Sequence, residues 1–209
     1  MIAAGKPLPQ RKMTELAKKN DLDLFVRILH LGILTFGLLA YLASGWAGDY
    51  EHAKHLGFTI HKWLGMGLAF FIALRLFYGV VGPANVRFKQ WVPYNKAGLL
   101  LVWEDILTLL KFRLPYRQSH QGLAGLVQSF GLLVFSWMAL TGSLMFFYLQ
   151  PGQETIGVLH FIEELHEIGE GVIPIFLALH LGAVLLHALT GRHLWRKMFF
   201  LKDQQSGKK

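Results

Sequence analysis

The chain has 209 residues, a formal charge of +8 and no cysteine. Without cysteine it holds no disulfide, iron–sulfur cluster or thiol nucleophile, so a metal must be bound by His, Met, carboxylate or backbone groups. Hydrophobic residues make up 53% of the chain and charged residues only 16%, whereas soluble domains carry about 25% charge. This composition excludes disorder and an ordinary soluble domain, and it leaves ten His residues to be explained.

Four long apolar stretches predict four transmembrane helices, because roughly 20 apolar residues cross a bilayer core. These stretches, each with at most two charged residues, are 28–48, 58–82, 118–153 and 171–191. The third is longer than one span, and we expect its helix over about 123–148. The predicted fold class is therefore all-α, an integral membrane four-helix bundle.

The distribution of Lys and Arg predicts how the bundle is oriented. Six such residues lie before residue 28, six in the connection 83–120 and six after residue 191, whereas the connection 149–165 has none. Since Lys and Arg stay on the cytoplasmic side, both termini and the 83–120 connection are predicted to be cytoplasmic, in a bacterial inner membrane. The positive charge is thus explained by topology and membrane lipid, and no nucleic-acid partner is expected.

This pattern divides the chain into a cytoplasmic N-terminal segment (1–23), a four-helix membrane domain (24–200) and a cytoplasmic tail (201–209). The 83–120 connection contains AGLLLVWEDILTLLKFRL over 97–114, which is too short and too charged to cross a membrane. It predicts a helix that lies on the cytoplasmic membrane surface or, alternatively, packs under the bundle.

Histidines at membrane depth are the strongest functional signal, because ionisable residues inside spans are rare and mark functional sites. His30 lies in the first helix, His61 opens the second, and the fourth carries His166, His180 and His187. His166 and His180 are 14 residues apart, which places both rings on roughly one helix face about 21 Å apart. One helix can therefore provide a ligand at each of two depths.

Matching depths pair His61 with His166 near the outside, and near the cytoplasm we pair His30 with His180, although by depth alone His30 lies between His180 and His187. Imidazole is a standard ligand of haem iron, so two haems are predicted. His187 remains an alternative to His180; otherwise it is expected to bond a haem propionate, a lipid headgroup or a quinone. An alternative of another class is a transporter whose His relay moves protons or a divalent metal.

Arg75 is isolated in the second helix, toward its cytoplasmic half. A buried Arg needs an anion. We expect Arg75 either to bind a propionate of the inner haem or to reach the lipid headgroups.

An acidic cluster lies near His166 on the predicted outer side. Its members are Glu154, Glu163, Glu164, Glu167 and Glu170. The positive-inside rule says little about Glu, so this surface favours docking of a basic redox partner in the periplasm.

Short motifs in order along the chain resemble the prokaryotic cytochrome b561 family, which includes the cytochrome b subunits of nickel–iron hydrogenases. They are RILHLG (27–32), IHKWLG (60–65), ALRLFYGVVGP (73–83), ALTG (139–142), LHEIGEG (165–171) and ALHLGAVLLHAL (178–189). The likeness covers all four helices, and Leu31 departs from it, because many relatives have Trp after the first ligand.

The resemblance implies a four-helix bundle with two haem b groups bound by His30 with His180 and by His61 with His166. It also implies electron exchange with membrane quinone. Relatives differ in partner, so the chain is expected to serve a periplasmic c-type cytochrome or to anchor a hydrogenase or dehydrogenase. Either role is that of an electron-transfer protein or oxidoreductase subunit rather than a stand-alone enzyme. The oligomeric state is left open, with a homodimer as one alternative.

Overall fold

The computed structural model describes residues 23–47, 56–115, 117, 121–149, 155–193 and 195–199. The predicted tail 201–209, the N-terminal segment up to residue 22 and Glu154 lie outside these residues. The helices are α1 (Leu24–Ala47), α2 (Leu56–Val81), α3 (Phe88–Trp91), α4 (Lys96–Leu110), α5 (Leu123–Tyr148), α6 (Val158–Leu189) and α7 (Trp195–Met198), with a 3-10 turn over Ala84–Val86.

Four of these helices, α1, α2, α5 and α6, are long and apolar enough to cross a membrane. The described part of the chain contains no β-strand. The prediction of an all-α four-helix membrane bundle is therefore confirmed, and α5 has the bounds expected for the third span.

The fourth spanning helix extends well beyond its uncharged stretch. α6 has 32 residues and begins at Val158, where the sequence is still acidic. Carboxylates in these added turns have hydroxyl partners: the Thr155 hydroxyl donates to Glu163, and the Ser44 hydroxyl lies 2.6 Å from a Glu170 oxygen. Because these groups are paired, the helix continues through the acidic region and carries His166 well inside it.

The spanning helices pack in the order α1 on α2, α2 on α5 and α5 on α6. Val134 and Met138 of α5 form a buried apolar cluster with Ile173 of α6. Within the described residues, α6 makes no comparable backbone packing with α1 or α2. Side chains rather than closely packed backbones therefore bridge α6 to these two helices.

The connection between the second and third spans contains α4, which docks against the start of α5. Asp105 is only 3% exposed, and its carboxylate accepts a hydrogen bond of 2.9 Å from the backbone N–H of Leu123. Gly122 allows this contact, because its φ of +68° suits glycine and a Cβ there would collide with the Asp105 carboxylate. A second carboxylate oxygen accepts from Arg117 at 2.7 Å.

The opposite face of α4 is apolar and exposed through Leu100, Trp103 and Leu107. This helix begins at the Asn95 cap, whose side chain accepts from the Gly98 N–H at 2.8 Å. It ends at Leu110, four residues before the predicted end, because Phe112 adopts a left-handed φ of +55° that a right-handed helix does not accommodate.

Candidate haem-binding site

His61 of α2 and His166 of α6 face one another across the bundle. Their ring centres lie 6.3 Å apart and their planes cross at 89°. His61 Nδ1 lies 2.9 Å from the carbonyl oxygen of Ala40, and His166 Nδ1 lies 2.8 Å from the hydroxyl of Thr141. A carbonyl only accepts, so His61 carries its hydrogen on Nδ1 and its lone pair on Nε2, the atom left for a metal.

His30 of α1 and His180 of α6 form a second facing pair. Their ring centres lie 6.5 Å apart with planes at 45°. The ring of Phe176, one turn before His180, stacks on the His180 ring at 5.4 Å and 20°. His30 Nδ1 is buried and makes no hydrogen bond within the described residues.

Both ring separations suit one metal ion held between two imidazoles. Imidazole nitrogens bind a metal at about 2.0–2.1 Å, so rings on opposite sides of one ion have centres about 6 Å apart. Among the described residues, no group of three or more His, Asp or Glu converges on one point that could hold a bare metal ion. Two axial imidazoles without further protein ligands are the donor set that a metal already held by a planar macrocycle requires.

The sequence model of the prokaryotic cytochrome b561 family matches residues 21–201. The chain belongs to this family. It is therefore a multi-pass membrane cytochrome that binds b-type haem and takes part in electron transfer. No significant match was found among curated proteins or among solved structures.

Arg75 of the cytochrome is enclosed by two aromatic rings from the connection after α2. Its guanidinium lies 5.4 Å from the ring centre of Phe88 and 5.6 Å from that of Trp91, which is favourable cation–π geometry. Its Nη1 atom is buried and makes no hydrogen bond within the described residues. The side chain is thus held by aromatic faces and retains a donor for an anion.

His187 lies in the last turn of α6, two turns beyond His180. The ring of His30 faces His180, so the structure brings together the pair that the sequence favoured. His187 Nδ1 is buried and, like His30 Nδ1, has no hydrogen-bond partner among the described residues. It therefore also retains a donor or acceptor for a group that is not part of the chain.

The acidic cluster divides into paired and exposed members. Glu163 and Glu170 bond the hydroxyls of Thr155 and Ser44. Glu164 and Glu167 are exposed, and Glu164 lies 3.4 Å from His160. Among the four described members of the cluster, Glu164 and Glu167 are thus the ones available to a partner.

Several residues that support the histidines were missed by sequence reasoning. Thr141 belongs to the ALTG motif, yet its contact with His166 joins residues 25 positions apart on two helices. Phe176 was one of 16 Phe residues. The available signals were a hydroxyl in an uncharged span and an aromatic ring one turn from a ligand candidate.

Proposed function

We propose that the cytochrome binds two haem b groups and carries electrons across the inner membrane. In this proposal His61 and His166 are the axial ligands of an outer haem, and His30 and His180 those of an inner haem. The observation that carries it is the presence of two imidazole pairs, with centres 6.3 Å and 6.5 Å apart. A haem iron held by two imidazoles passes single electrons and has no open position for oxygen chemistry.

The surrounding residues hold and orient these ligands. The Ala40 carbonyl and the Thr141 hydroxyl restrain the His61 and His166 rings through Nδ1, and outer partners of this kind fix the ring orientation and raise the basicity of the ligand. Phe176 restrains His180 by stacking. Arg75 provides a buried donor for a propionate of the inner haem, and His187 is assigned a supporting rather than a ligating role.

Quinone and a periplasmic redox protein such as a c-type cytochrome are the proposed partners. The concentration of Lys and Arg before α1, between α2 and α5 and after α6 supports cytoplasmic termini in the inner membrane. This orientation places the end of α6 with the exposed Glu164 and Glu167 on the periplasmic side, where a basic protein is attracted. Residues 24–200 would form the membrane domain, between the cytoplasmic segments 1–23 and 201–209.

Haem content and ligand variants test the two-haem proposal. The purified chain is expected to contain two haem b per chain by pyridine haemochrome assay, and to show a b-type reduced-minus-oxidised spectrum. His30→Leu and His180→Leu should each lose the inner haem, and His61→Leu and His166→Leu the outer one. His187→Leu is the matched control on α6 and should keep both.

One haem per chain, or loss of the inner haem in His187→Leu but not in His180→Leu, would contradict the assignment. A chain without a haem spectrum after haem-replete expression would favour the transporter alternative. Fusion of a cytoplasm-active reporter to the C-terminus tests the orientation, and an active fusion is expected.

The partner assignment has a separate test. Electron transfer from the reduced cytochrome to a basic soluble c-type cytochrome should slow in Glu164→Gln/Glu167→Gln and lose part of its salt dependence, because steering depends on charge. Glu104→Gln is the matched control, since Glu104 is also exposed but lies in the 83–120 connection, on the predicted cytoplasmic side. If the double variant and Glu104→Gln transfer electrons to the c-type cytochrome at equal rates, the acidic surface does not steer this partner. That result, or co-purification of a large hydrogenase or dehydrogenase subunit in mild detergent, would favour the anchor role.

A further inference from the structure

Thr141 of α5 is a buried hydroxyl, only 4% exposed, that contacts His166 of α6. Its oxygen lies 2.9 Å from the carbonyl oxygen of Trp137 and 2.8 Å from His166 Nδ1. A hydroxyl has one hydrogen, which Thr141 donates to the Trp137 carbonyl. Where His166 binds iron through Nε2, its own hydrogen lies on Nδ1, and the Thr141 oxygen accepts it.

The contact is specific to one of the four facing rings. His61 donates to a backbone carbonyl, that of Ala40, which no side-chain substitution removes. His30 Nδ1 has no partner within the described residues, and His180 is held by the ring of Phe176. Among the described residues, Thr141 is thus the side-chain hydroxyl that contacts Nδ1 of a facing ring. Gly142 beside it leaves room for that ring, because a Cβ there would lie 3.1 Å from His166 Cε1.

We propose that Thr141 is a positioning residue that sets the reduction potential of the outer haem through His166. The inference rests on the proposed function, in which His166 is an axial ligand. A hydrogen bond accepted from Nδ1–H makes the imidazole a more basic ligand, and a more basic ligand stabilises the oxidised iron. Thr141 therefore keeps the outer haem at a lower potential than the same ligand pair would have without it.

The experiment compares Thr141→Val with Thr141→Ser in the full-length cytochrome. Valine has the shape of threonine and cannot accept the hydrogen bond, whereas serine can. Ser129→Ala is the matched control, because Ser129 also donates to a carbonyl one turn earlier in α5, that of Gly125 at 2.7 Å, and no contact with a histidine is present at that position among the described residues. The readouts are haem content, the midpoint potential of each haem by redox titration, and the low-spin electron paramagnetic resonance spectrum.

Thr141→Val is expected to raise the midpoint potential of the outer haem and to change its resonance signal, with the inner haem unaffected. Thr141→Ser should restore the wild-type potential, and Ser129→Ala should leave both potentials in place. Loss of the outer haem in the Val variant together with its retention in the Ser variant supports the same role for the hydroxyl.

Unchanged or lowered outer-haem potential in Thr141→Val overturns the inference. His166→Leu distinguishes this failure from failure of the proposed function. If His166→Leu loses one haem while Thr141→Val keeps both wild-type potentials, only the role of Thr141 is wrong. If His166→Leu keeps both haems, His166 is not a ligand and both proposals fail.

Discussion

His61 and His166 present their rings to one another almost perpendicularly, at 89°. The hydrogen bonds from each Nδ1, to the Ala40 carbonyl and the Thr141 oxygen, hold this crossed arrangement. The His30 and His180 planes differ by only 45°. The two pairs are therefore inequivalent in geometry as well as in depth.

This difference predicts two distinct low-spin signals in electron paramagnetic resonance. Crossed imidazole planes leave two iron d orbitals nearly equal in energy, which makes the signal strongly anisotropic, and less crossed planes separate these orbitals. In the proposed assignment, the haem bound by His61 and His166 should thus give the more anisotropic signal of the oxidised protein. Spectra of His166→Leu and His30→Leu assign the signals, and the reverse assignment or two identical signals would contradict the prediction.

Replacement of Arg75 by Leu is expected to lower the midpoint potential of the inner haem, on the order of 50 mV. Loss of a nearby positive charge favours the oxidised iron, and a shift of this size corresponds to about 1 kcal/mol of electrostatic interaction. Redox titration measures it. Arg75→Lys should show a smaller shift, because it keeps the charge but not the planar donor.

Lys62 offers a matched control for Arg75. It also lies over an aromatic ring in α2, at 5.8 Å from the centre of Phe146, but toward the other end of that helix. Lys62→Gln should leave the inner haem at its wild-type potential. An equal shift in both variants would mean that Arg75 acts through net charge and not through a specific contact.

Gly131→Ala is expected to destabilise the cytochrome and to weaken binding of the inner haem. A Cβ at residue 131 would collide with the Phe176 ring, which is confined by Phe130 and Phe135 and stacks on His180. Overpacking of this kind costs about 1–3 kcal/mol. Thermal unfolding followed by circular dichroism, together with inner-haem absorbance, measures both effects.

Gly171→Ala is the control for that substitution, because a Cβ at residue 171 meets nothing within 4 Å. It should be neutral or stabilise α6 by less than about 1 kcal/mol, since Ala is a better helix former than Gly. If both variants lower the melting temperature equally, the Phe176 contact is not the cause.

Asp105→Ala is expected to destabilise the bundle by about 2–4 kcal/mol, because it removes a buried acceptor and the partner of a charged group. The Leu123 N–H and the Arg117 guanidinium would both lose a hydrogen bond. Thermal unfolding in detergent measures the loss. Glu104→Gln should cost less than about 1 kcal/mol, as the Glu104 side chain is 62% exposed.

The Arg117 ion pair should contribute equally across neutral pH. The hydrogen bonds that Arg117 donates to Asp105 and, to a lesser extent, to Glu104 raise the pKa of Arg117 above its usual value. A raised pKa of a cation adds stability that is complete below the unfolded-state pKa and is lost only as pH rises through the folded-state pKa. The effect of Glu104→Gln should therefore not vary between about pH 6 and 9, because Arg117 stays protonated over that range; a steep loss there would argue against the pair.

The spanning helices could be predicted because hydropathy reports directly on the bilayer. Facing His pairs could also be anticipated, because the 14-residue spacing of His166 and His180 fixes their relative depths on one helix. The start of α6 was less accessible, since Val158 precedes acidic turns whose carboxylates are paired by Thr155 and Ser44. Local sequence does not reveal such partners.

Side-chain contacts between distant segments also lay beyond the sequence. The two aromatic neighbours of Arg75, Phe88 and Trp91, fold back from the connection after α2. The bond between Thr141 and His166 depends on the rotation of α5 against α6. These relationships arise from packing, which fixes helix rotation and rotamers together.

Biogenesis of the cytochrome should depend on the supply of its cofactor. In the described part of the chain, α6 packs closely on α5 but not on α1 or α2, and it meets those two helices through side chains that include the facing histidines and the Ser44–Glu170 hydrogen bond. A newly inserted chain in a haem-starved cell is therefore expected to leave its last spanning helix loosely attached to the first two. Such chains would be removed by membrane proteases, so the quantity of cytochrome would follow porphyrin synthesis after translation.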